Sequence, residues 1–173
     1  SDWSSDVCSS DLTGTYLDTA RLKRSLGDAL NVDPRSIQGY MLGEHGDSQF
    51  AAWSTVRVLG QKADELVTNY HLDLDAVAND ARVGGFTVFS GKKYTNFAIA
   101  HAAVSLAQLV LSDAHNEAIV SHYDARFAGY ISTPAIIGRS GVVANFELTL
   151  TADEQRALQQ SANAIAEKTA AYL

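Results

Sequence analysis

The sequence has little cysteine, little proline and no excess of positive charge. Its 173 residues include one cysteine, Cys8, and 2 prolines. Because one cysteine cannot pair within the chain, a small secreted scaffold held together by disulfides is excluded. The formal net charge of -7 at pH 7 argues against a nucleic-acid partner, since binding to phosphates needs a cationic face.

Long apolar runs are also absent. No stretch reaches the roughly 18 uninterrupted apolar residues of a membrane-spanning helix, and the first residues lack the basic start and apolar core of a signal peptide. These two absences predict a cytoplasmic protein with no membrane partner. Hydrophobic residues nevertheless make up 46% of the chain, which is typical of a packed globular domain rather than a disordered one.

Residues 1–12 differ from the rest of the chain. They contain five serines, three aspartates and no lysine or arginine, and they follow no helical or strand period. They resemble the peptide obtained when sequencing-adapter DNA is translated in frame with a truncated gene; the alternative is a flexible native N-terminus or tag. The first interpretation predicts that residues 1–12 are not native, that a portion before Thr13 is missing, and that one domain occupies residues 13–173.

Apolar spacing predicts a mixture of helices and strands. The expected helices begin at Thr15, Lys62, Leu74 and Thr95, and a Thr-x-x-Glu capping box at Thr151 opens a last one. Strands are expected over residues 36–42, 53–59, 117–123, 129–137 and 141–150, the last three as a meander. Gly84 and Gly85 interrupt the helix from Leu74 and indicate a bend or the close approach of another group, while the alanine-rich helix from Thr95 is expected to be buried.

Two short motifs carry side chains suited to anion binding and proton transfer. Asp18 and Arg21 are three residues apart on a predicted helix, so they share one face. That spacing alone is typical of a surface ion pair worth less than about 1 kcal/mol. His45 lies in a glycine-flanked turn, and an imidazole with a pKa near about 6.5 can exchange a proton at neutral pH. Such a histidine is usually only a solvated surface residue unless a second group connects to it.

The two motifs together resemble the paired signature of the L-lactate and malate dehydrogenase family. They are Leu17-Asp18-Thr19-Ala20-Arg21 and Leu42-Gly43-Glu44-His45-Gly46-Asp47-Ser48. Further matches follow in order at Trp53-Ser54, Tyr94-Thr95, Pro134-Ala135-Ile136-Ile137-Gly138 and Leu148-Thr149-Leu150-Thr151. The resemblance extends from Thr13 or Gly14 to Leu173. It implies an α+β fold like that family's C-terminal substrate and catalytic domain, with twisted antiparallel strands packed with long helices.

The resemblance also implies roles for individual residues. His45 would be the acid/base that gives a proton to the ketone oxygen of a 2-oxo acid, and Asp18 would hold its other ring nitrogen. Arg21 would bind the substrate carboxylate through two parallel hydrogen bonds. Thr95 would line the substrate pocket and Ile99 would pack against a nicotinamide ring; the alternative for both is an ordinary contact of a buried helix.

The implied cofactor is NAD, and the implied ligand is a small 2-oxo or 2-hydroxy acid. A phosphate-binding Gly-x-Gly-x-x-Gly turn occurs nowhere in the sequence, and no acidic residue can be assigned to a ribose. In the family these groups belong to an N-terminal Rossmann domain, which we expect to be absent from this chain. We therefore expect the catalytic half of an NAD-dependent L-2-hydroxyacid dehydrogenase, inactive by itself. Family members also imply a homodimer or homotetramer for the full-length protein.

Several residues bear on the branch of the family. Glu44 favours the lactate type, since malate dehydrogenases usually carry glycine there. Residues 49–58 resemble L-2-hydroxyisocaproate dehydrogenase, whereas lactate enzymes generally have a proline where Ala51 or Ala52 stands. Lys23 and Gln38 replace the arginine and histidine that bind fructose 1,6-bisphosphate in allosteric enzymes, so that regulation is not expected.

Two alternatives to this function remain. One is a malate dehydrogenase, and the other is a non-catalytic α/β interaction module in which Asp18, Arg21 and His45 are scattered surface groups. The four other histidines have no metal-ligand spacing and the cysteine is not usable as a ligand, so we expect no metal.

Overall fold

The computed structural model describes residues 13–170, and the predicted non-native segment 1–12 lies outside them. These residues form five α-helices, one 3₁₀ turn and six strands. In chain order they are α1 (Tyr16–Leu30), the 3₁₀ turn (Pro34–Ser36), β1 (Ile37–Leu42), β2 (Phe50–Val58), β3 (Gln61–Lys62), α2 (Ala63–Tyr70), α3 (Leu74–Lys92), α4 (Asn96–Leu111), β4 (Asn116–Asp124), β5 (Gly129–Gly138), β6 (Gly141–Asn145) and α5 (Ala152–Ala170).

The strands form two antiparallel three-stranded sheets, in the orders β1-β2-β3 and β4-β5-β6. The predicted α+β class and the meander are confirmed. The sheets meet where Gly43, just after β1, forms a bridge with Ser132 in β5. The N–H of Gly43 donates to the carbonyl of Ser132 at 3.1 Å, and the N–H of Ser132 donates back at 3.2 Å. This bridge places the end of β1 beside the middle of β5.

Three apolar clusters fill the space between helices and sheets. The largest joins α1 to β1, β2, α2 and α3 through residues that include Leu22, Leu26, Ile37, Val56 and Leu66. A second joins the two sheets to α5 through Leu42, Ala52, Ile131, Leu158 and Ala162. A third lies between the β4-β5 sheet and α4. Helix α1 is thus packed on the sheet whose β1 strand leads into the turn that contains His45.

The buried face of α1 is more polar than its sequence suggests. The apolar stripe expected from the sequence consists of Leu17, Ala20, Leu26 and Leu30. Ala20 is exposed, whereas Asp18, Thr19 and Ser25 are buried. Burial of these polar side chains is tolerated because they have partners: the Thr19 hydroxyl, for example, accepts from the N–H of Met41 at 3.0 Å. The buried face of α1 therefore combines the apolar side chains of Leu22 and Leu26 with hydrogen-bonded polar ones.

The prediction that the alanine-rich helix is buried is wrong. In α4 only Ala102 is buried, and the side chains of Phe97 and Leu111 are 71% and 79% exposed. One side of the helix packs against the β4-β5 sheet through Leu106, Leu109 and Val110, while its other faces are open in the described part of the chain. Composition alone could not show that only part of the helix surface is covered. Within residues 13–170, no helix combines the length and apolar character needed to cross a bilayer.

The last predicted strand is shorter than expected. β6 ends at Asn145 rather than at residue 150. Leu148 and Leu150, which extended the strand-like alternation, instead pack from an irregular segment against the second apolar cluster. Their apolar character therefore reflects packing against this cluster and not strand pairing.

Glu154 joins the start of α5 to β2. As predicted, Thr151 and Glu154 form a capping box: the N–H of Glu154 donates to Thr151 Oγ1 at 3.2 Å, and the N–H of Thr151 donates to Glu154 Oε2 at 2.9 Å. The N–H of Ser54 in β2 donates to Glu154 Oε1 at 2.9 Å. Burial raises the pKa of Glu154, but the hydrogen bonds from Ser54 and Thr151 outweigh it and lower the pKa below its ordinary value.

Replacing Glu154 by glutamine tests this link. We expect the free energy of unfolding to fall by about 2 kcal/mol at pH 7, because an amide offers one uncharged acceptor oxygen in place of the two carboxylate oxygens that bind the N–H groups of Ser54 and Thr151. Glu167→Gln, on an exposed position of the same helix, should change it little. Urea denaturation followed by circular dichroism measures both. A lowered pKa stabilises the fold above the unfolded carboxyl pKa, so the difference should vanish as pH falls through the folded value. Equal stabilities at pH 7 would contradict the link.

Candidate functional site

The five predicted site residues line one open cleft of about 550 Å³. Asp18 and Arg21 come from α1, His45 from the β1–β2 turn, and Thr95 and Ile99 from the start of α4. Residues distant in sequence are therefore brought to one place. The charged groups are in contact with one another, which is not the arrangement expected of scattered surface residues.

Asp18 and His45 are directly hydrogen-bonded. The Asp18 Oδ2 atom lies 2.6 Å from His45 Nδ1. The carboxylate is buried, with its side chain 1% exposed, whereas the imidazole is 52% exposed. A carboxylate can only accept, so Nδ1 carries a proton in this pair and Nε2 is the nitrogen available for exchange with a ligand. The glycine-flanked turn thus keeps the imidazole accessible, as predicted.

Arg21 forms an ion pair with the other oxygen of the Asp18 carboxylate. Arg21 Nη1 lies 2.8 Å from Asp18 Oδ1, and the arginine side chain is 19% exposed. A buried carboxylate is costly unless it is paired and hydrogen-bonded, and here both of its oxygens are engaged. The guanidinium has five N–H donors, and the contact with Asp18 uses one of them. Arg21 can therefore hold Asp18 and still bind an anion.

The glycines of α3 make room for Arg21. The helix continues through Gly84 and Gly85. A Cβ atom at Gly84 would lie 3.2 Å from Arg21 Cδ, and one at Gly85 would lie 3.2 Å from Arg21 Nη2. Of the two interpretations of this glycine pair, the close approach of another group is confirmed, and that group is the arginine of the site. The sequence indicated the approach but did not identify the partner.

The hydrogen bond to Asp18 also sets the acidity of His45. This bond and the negative charge of Asp18 raise the pKa of His45 above its ordinary value, with a smaller contribution from the charge of Glu44. Burial and the positive charge of Arg21 oppose the rise. The net effect favours the protonated imidazole, which is the form that can donate a proton to a ligand.

Sequence reasoning missed several residues of the cleft. Phe86, Phe89 and Arg82 of α3 line it, as does Gln49. The Gln49 Oε1 atom is buried and has no hydrogen-bond partner among the residues described. The available signal was the helical spacing: Arg82 lies three residues before Gly85 and Phe89 four residues after it, so both share a helix face with that glycine. Nowhere in residues 13–170 do three potential metal-ligating His, Cys, Asp or Glu side chains cluster.

Asp18→Asn tests the origin of the His45 pKa. Without the carboxylate charge, burial and Arg21 remain, so the pKa of His45 should fall to its ordinary value or below. NMR titration of the imidazole signals measures this, with His45→Gln identifying the resonance. Asp47→Asn, on an exposed residue of the same cleft, is the matched control and should leave the titration nearly unchanged. An unaltered His45 titration in Asp18→Asn would show that the hydrogen bond does not control it.

Comparison with known protein families places this fold among dehydrogenases. The family described as lactate/malate dehydrogenase, alpha/beta C-terminal domain, matches residues 15–171. The L-lactate dehydrogenase of Treponema denticola is 38% identical over 165 residues, which cover 90% of this chain and 52% of that protein. L-lactate dehydrogenase 1 of Lactobacillus acidophilus is 35% identical over 162 residues, covering 90% of this chain and 50% of that protein.

Solved structures of similar fold agree with these relatives. The minor L-lactate dehydrogenase of Enterococcus mundtii, in a ligand-bound form, has a TM-score of 0.84 and 31% identity, covering 90% of this chain and 52% of that one. A lactate dehydrogenase from a Medee basin deep-sea metagenome library has a TM-score of 0.84 and 27% identity, covering 91% of this chain and 53% of that one. The chain spans about half the length of the curated relatives it matches.

Proposed function

Since this chain belongs to the lactate/malate dehydrogenase family, we propose that it carries the substrate and acid–base site of an NAD-dependent L-2-hydroxyacid dehydrogenase. One observation carries the proposal: the buried Asp18 carboxylate holds both Arg21 and His45 at the edge of a single cleft. A cationic group for a carboxylate and a protonated imidazole for a carbonyl are the two groups that a 2-oxo acid requires. The names of the relatives support this reaction class.

In this proposal Arg21, His45 and Asp18 each have a separate chemical role. Arg21 binds the substrate carboxylate with guanidinium donors that Asp18 does not use. His45 donates the Nε2 proton to the carbonyl oxygen as the adjacent carbon is reduced, and it takes the proton back in the reverse direction. Asp18 fixes the orientation of the imidazole and stabilises its positive charge, so that His45 is protonated before the reaction begins.

The cleft also fits one end of the proposed cofactor. Ile99 and Phe89 give it apolar surface close to Thr95, and a nicotinamide ring can cover such surface. NADH supplies the hydride when it is bound. The phosphates and ribose need other partners, because the sequence has no Gly-x-Gly-x-x-Gly turn. In this proposal they bind to a separate dinucleotide-binding domain, and the 173-residue chain alone neither binds NADH measurably nor turns over.

The substrate proposed is a lactate-type 2-oxo acid. Glu44 favours this over a malate-type substrate, and the relatives are L-lactate dehydrogenases by name. The resemblance of residues 49–58 to L-2-hydroxyisocaproate dehydrogenase adds branched 2-oxo acids to the candidates. A cytoplasmic homodimer or homotetramer remains our prediction for the assembled enzyme.

His45→Ala tests the acid/base assignment in the complete product of the gene that encodes this chain. Reduction of pyruvate, 2-oxoisocaproate and oxaloacetate by NADH should slow by about 100-fold or more, which is the usual contribution of a general acid. The preferred substrate separates the lactate, hydroxyisocaproate and malate types. In the wild type, kcat for reduction should decline as pH rises through the raised pKa of His45, because the proton is then lost.

The control for this variant is His101→Ala, at an exposed position of α4 outside the residues that line the cleft. It should retain wild-type turnover. Undiminished turnover in His45→Ala would overturn the assignment.

Arg21→Lys tests the carboxylate site. Lysine keeps the positive charge but cannot make two parallel hydrogen bonds to a carboxylate, so KM for the 2-oxo acid should rise by roughly 10- to 100-fold. The matched control is Arg24→Lys, one turn further along α1, where the arginine side chain is 59% exposed and pairs with Asp28 and Asp80. A rise in KM of the same size in both variants would argue against a specific role for Arg21.

A further inference from the structure

We propose that Ser161 of α5 is a positioning residue for the His45 turn, holding its backbone so that the imidazole stays within reach of Asp18. Ser161 is 0% exposed, and it does not line the cleft. Its effect on turnover rests on the proposed function, whereas its effect on His45 itself does not. The test therefore measures both turnover and the titration of His45.

The Ser161 hydroxyl contacts both ends of the turn. Its Oγ accepts from the N–H of Glu44, the residue before His45, at 2.7 Å. It also lies 2.9 Å from Ser48 Oγ, three residues after His45. Ser48 donates its own proton to Glu44 Oε2 at 2.6 Å, so the Ser161 hydroxyl is the donor to Ser48. Every hydroxyl proton in this chain of bonds then has an acceptor.

Gly43 lets the turn approach Ser161 closely. A Cβ atom at Gly43 would lie 2.5 Å from Ser161 Oγ, and the residue has φ +98. Both facts favour glycine. On its other side Gly43 is bridged to Ser132 of β5. The turn is therefore held by β5 where it begins and by α5 immediately afterwards.

Glu44 adds a second link from the turn to α5. Its Oε1 atom is paired with Lys168 Nζ, seven residues after Ser161. The Glu44 side chain is 14% exposed and that of Lys168 is 67% exposed. Burial raises the pKa of Glu44, but the hydrogen bonds from Lys168 and Ser48 lower it below its ordinary value. Glu44 thus remains a carboxylate that binds α5 at neutral pH.

The imidazole depends on the backbone position that these bonds set. Asp18 is anchored on α1, so the 2.6 Å contact with His45 Nδ1 requires the turn to lie at a matching place. Without the Ser161 hydroxyl, the N–H of Glu44 loses its buried acceptor, which favours other positions of the turn. His45 would then leave Asp18 for part of the time, and its pKa would fall toward the ordinary value.

The charged groups around His45 make this readout specific. They are Asp18 and Arg21 of α1, Glu44 and Asp47 of the turn, and Arg82 of α3. Ser161→Ala changes none of these charges. A change in the titration of His45 therefore reports the position of the imidazole.

The experiment compares NMR titrations of His45 in the 173-residue chain. Ser161→Ala should shift the pKa of His45 downward, part of the way to the value in Asp18→Asn. Thr169→Ala is the matched control, because it removes an exposed hydroxyl that bonds to the Ile165 carbonyl within the same helix; it should leave the titration unchanged. A Ser161→Ala titration equal to those of the wild type and Thr169→Ala overturns the proposal.

Two further measurements complete the test. If Ser161→Ala does not fold, Ser161→Cys replaces it, since a thiol keeps a side chain at this position but accepts only weakly from the N–H of Glu44; a wild-type His45 titration in that variant overturns the proposal. In the complete gene product, Ser161→Ala should lower kcat by about 10- to 100-fold with KM for the 2-oxo acid unchanged. Full activity of His45→Ala would remove the proposed function but leave the titration result standing.

Discussion

The carboxylate of Asp18 is the group on which the site depends. A carboxylate removed from water costs several kcal/mol unless charged partners and hydrogen bonds compensate, and this side chain is 1% exposed. Its two oxygens are compensated by Arg21 and His45. The same two contacts orient the guanidinium, fix the tautomer of the imidazole and raise its pKa. Burial of one charge thereby positions both groups to which the proposed 2-oxo acid substrate would bind.

Hydrogen bonds help to align α1, which carries Asp18 and Arg21, with β1, which leads to His45. Both backbone polar groups of Met41 in β1 bind side chains at the start of α1. The Met41 carbonyl accepts from Oγ1 of Thr15, the residue before the helix, at 2.6 Å, and the Met41 N–H donates to Thr19 Oγ1. Hydrogen bonds have fixed directions, whereas apolar contacts tolerate sliding. The bonds to Met41 therefore set the position of α1 against the strand that leads to His45.

Sequence reasoning failed where a residue's environment depends on distant parts of the chain. The burial of α4 was expected from its alanines, but only one face of the helix meets a neighbour. The buried face of α1 includes Thr19 and Ser25, whose burial is tolerated because other elements supply hydrogen-bond partners. Ser161 gave no signal at all, because its partner Glu44 lies 117 residues away. Periodicity describes one element at a time and contains no information about which elements meet.

The sequence by itself determined the local features: the α+β class, the meander, the capping box of Thr151 and Glu154, and the motifs that contain Asp18, Arg21 and His45. These depend on spacings of a few residues, and their chemistry is intrinsic to the side chains. Only the tertiary structure decided that the Asp18 carboxylate is buried between Arg21 and His45. Desolvation and the 2.6 Å contact arise from the packing of α1 on β1, and they convert an ordinary surface pair and a turn histidine into one electrostatic unit.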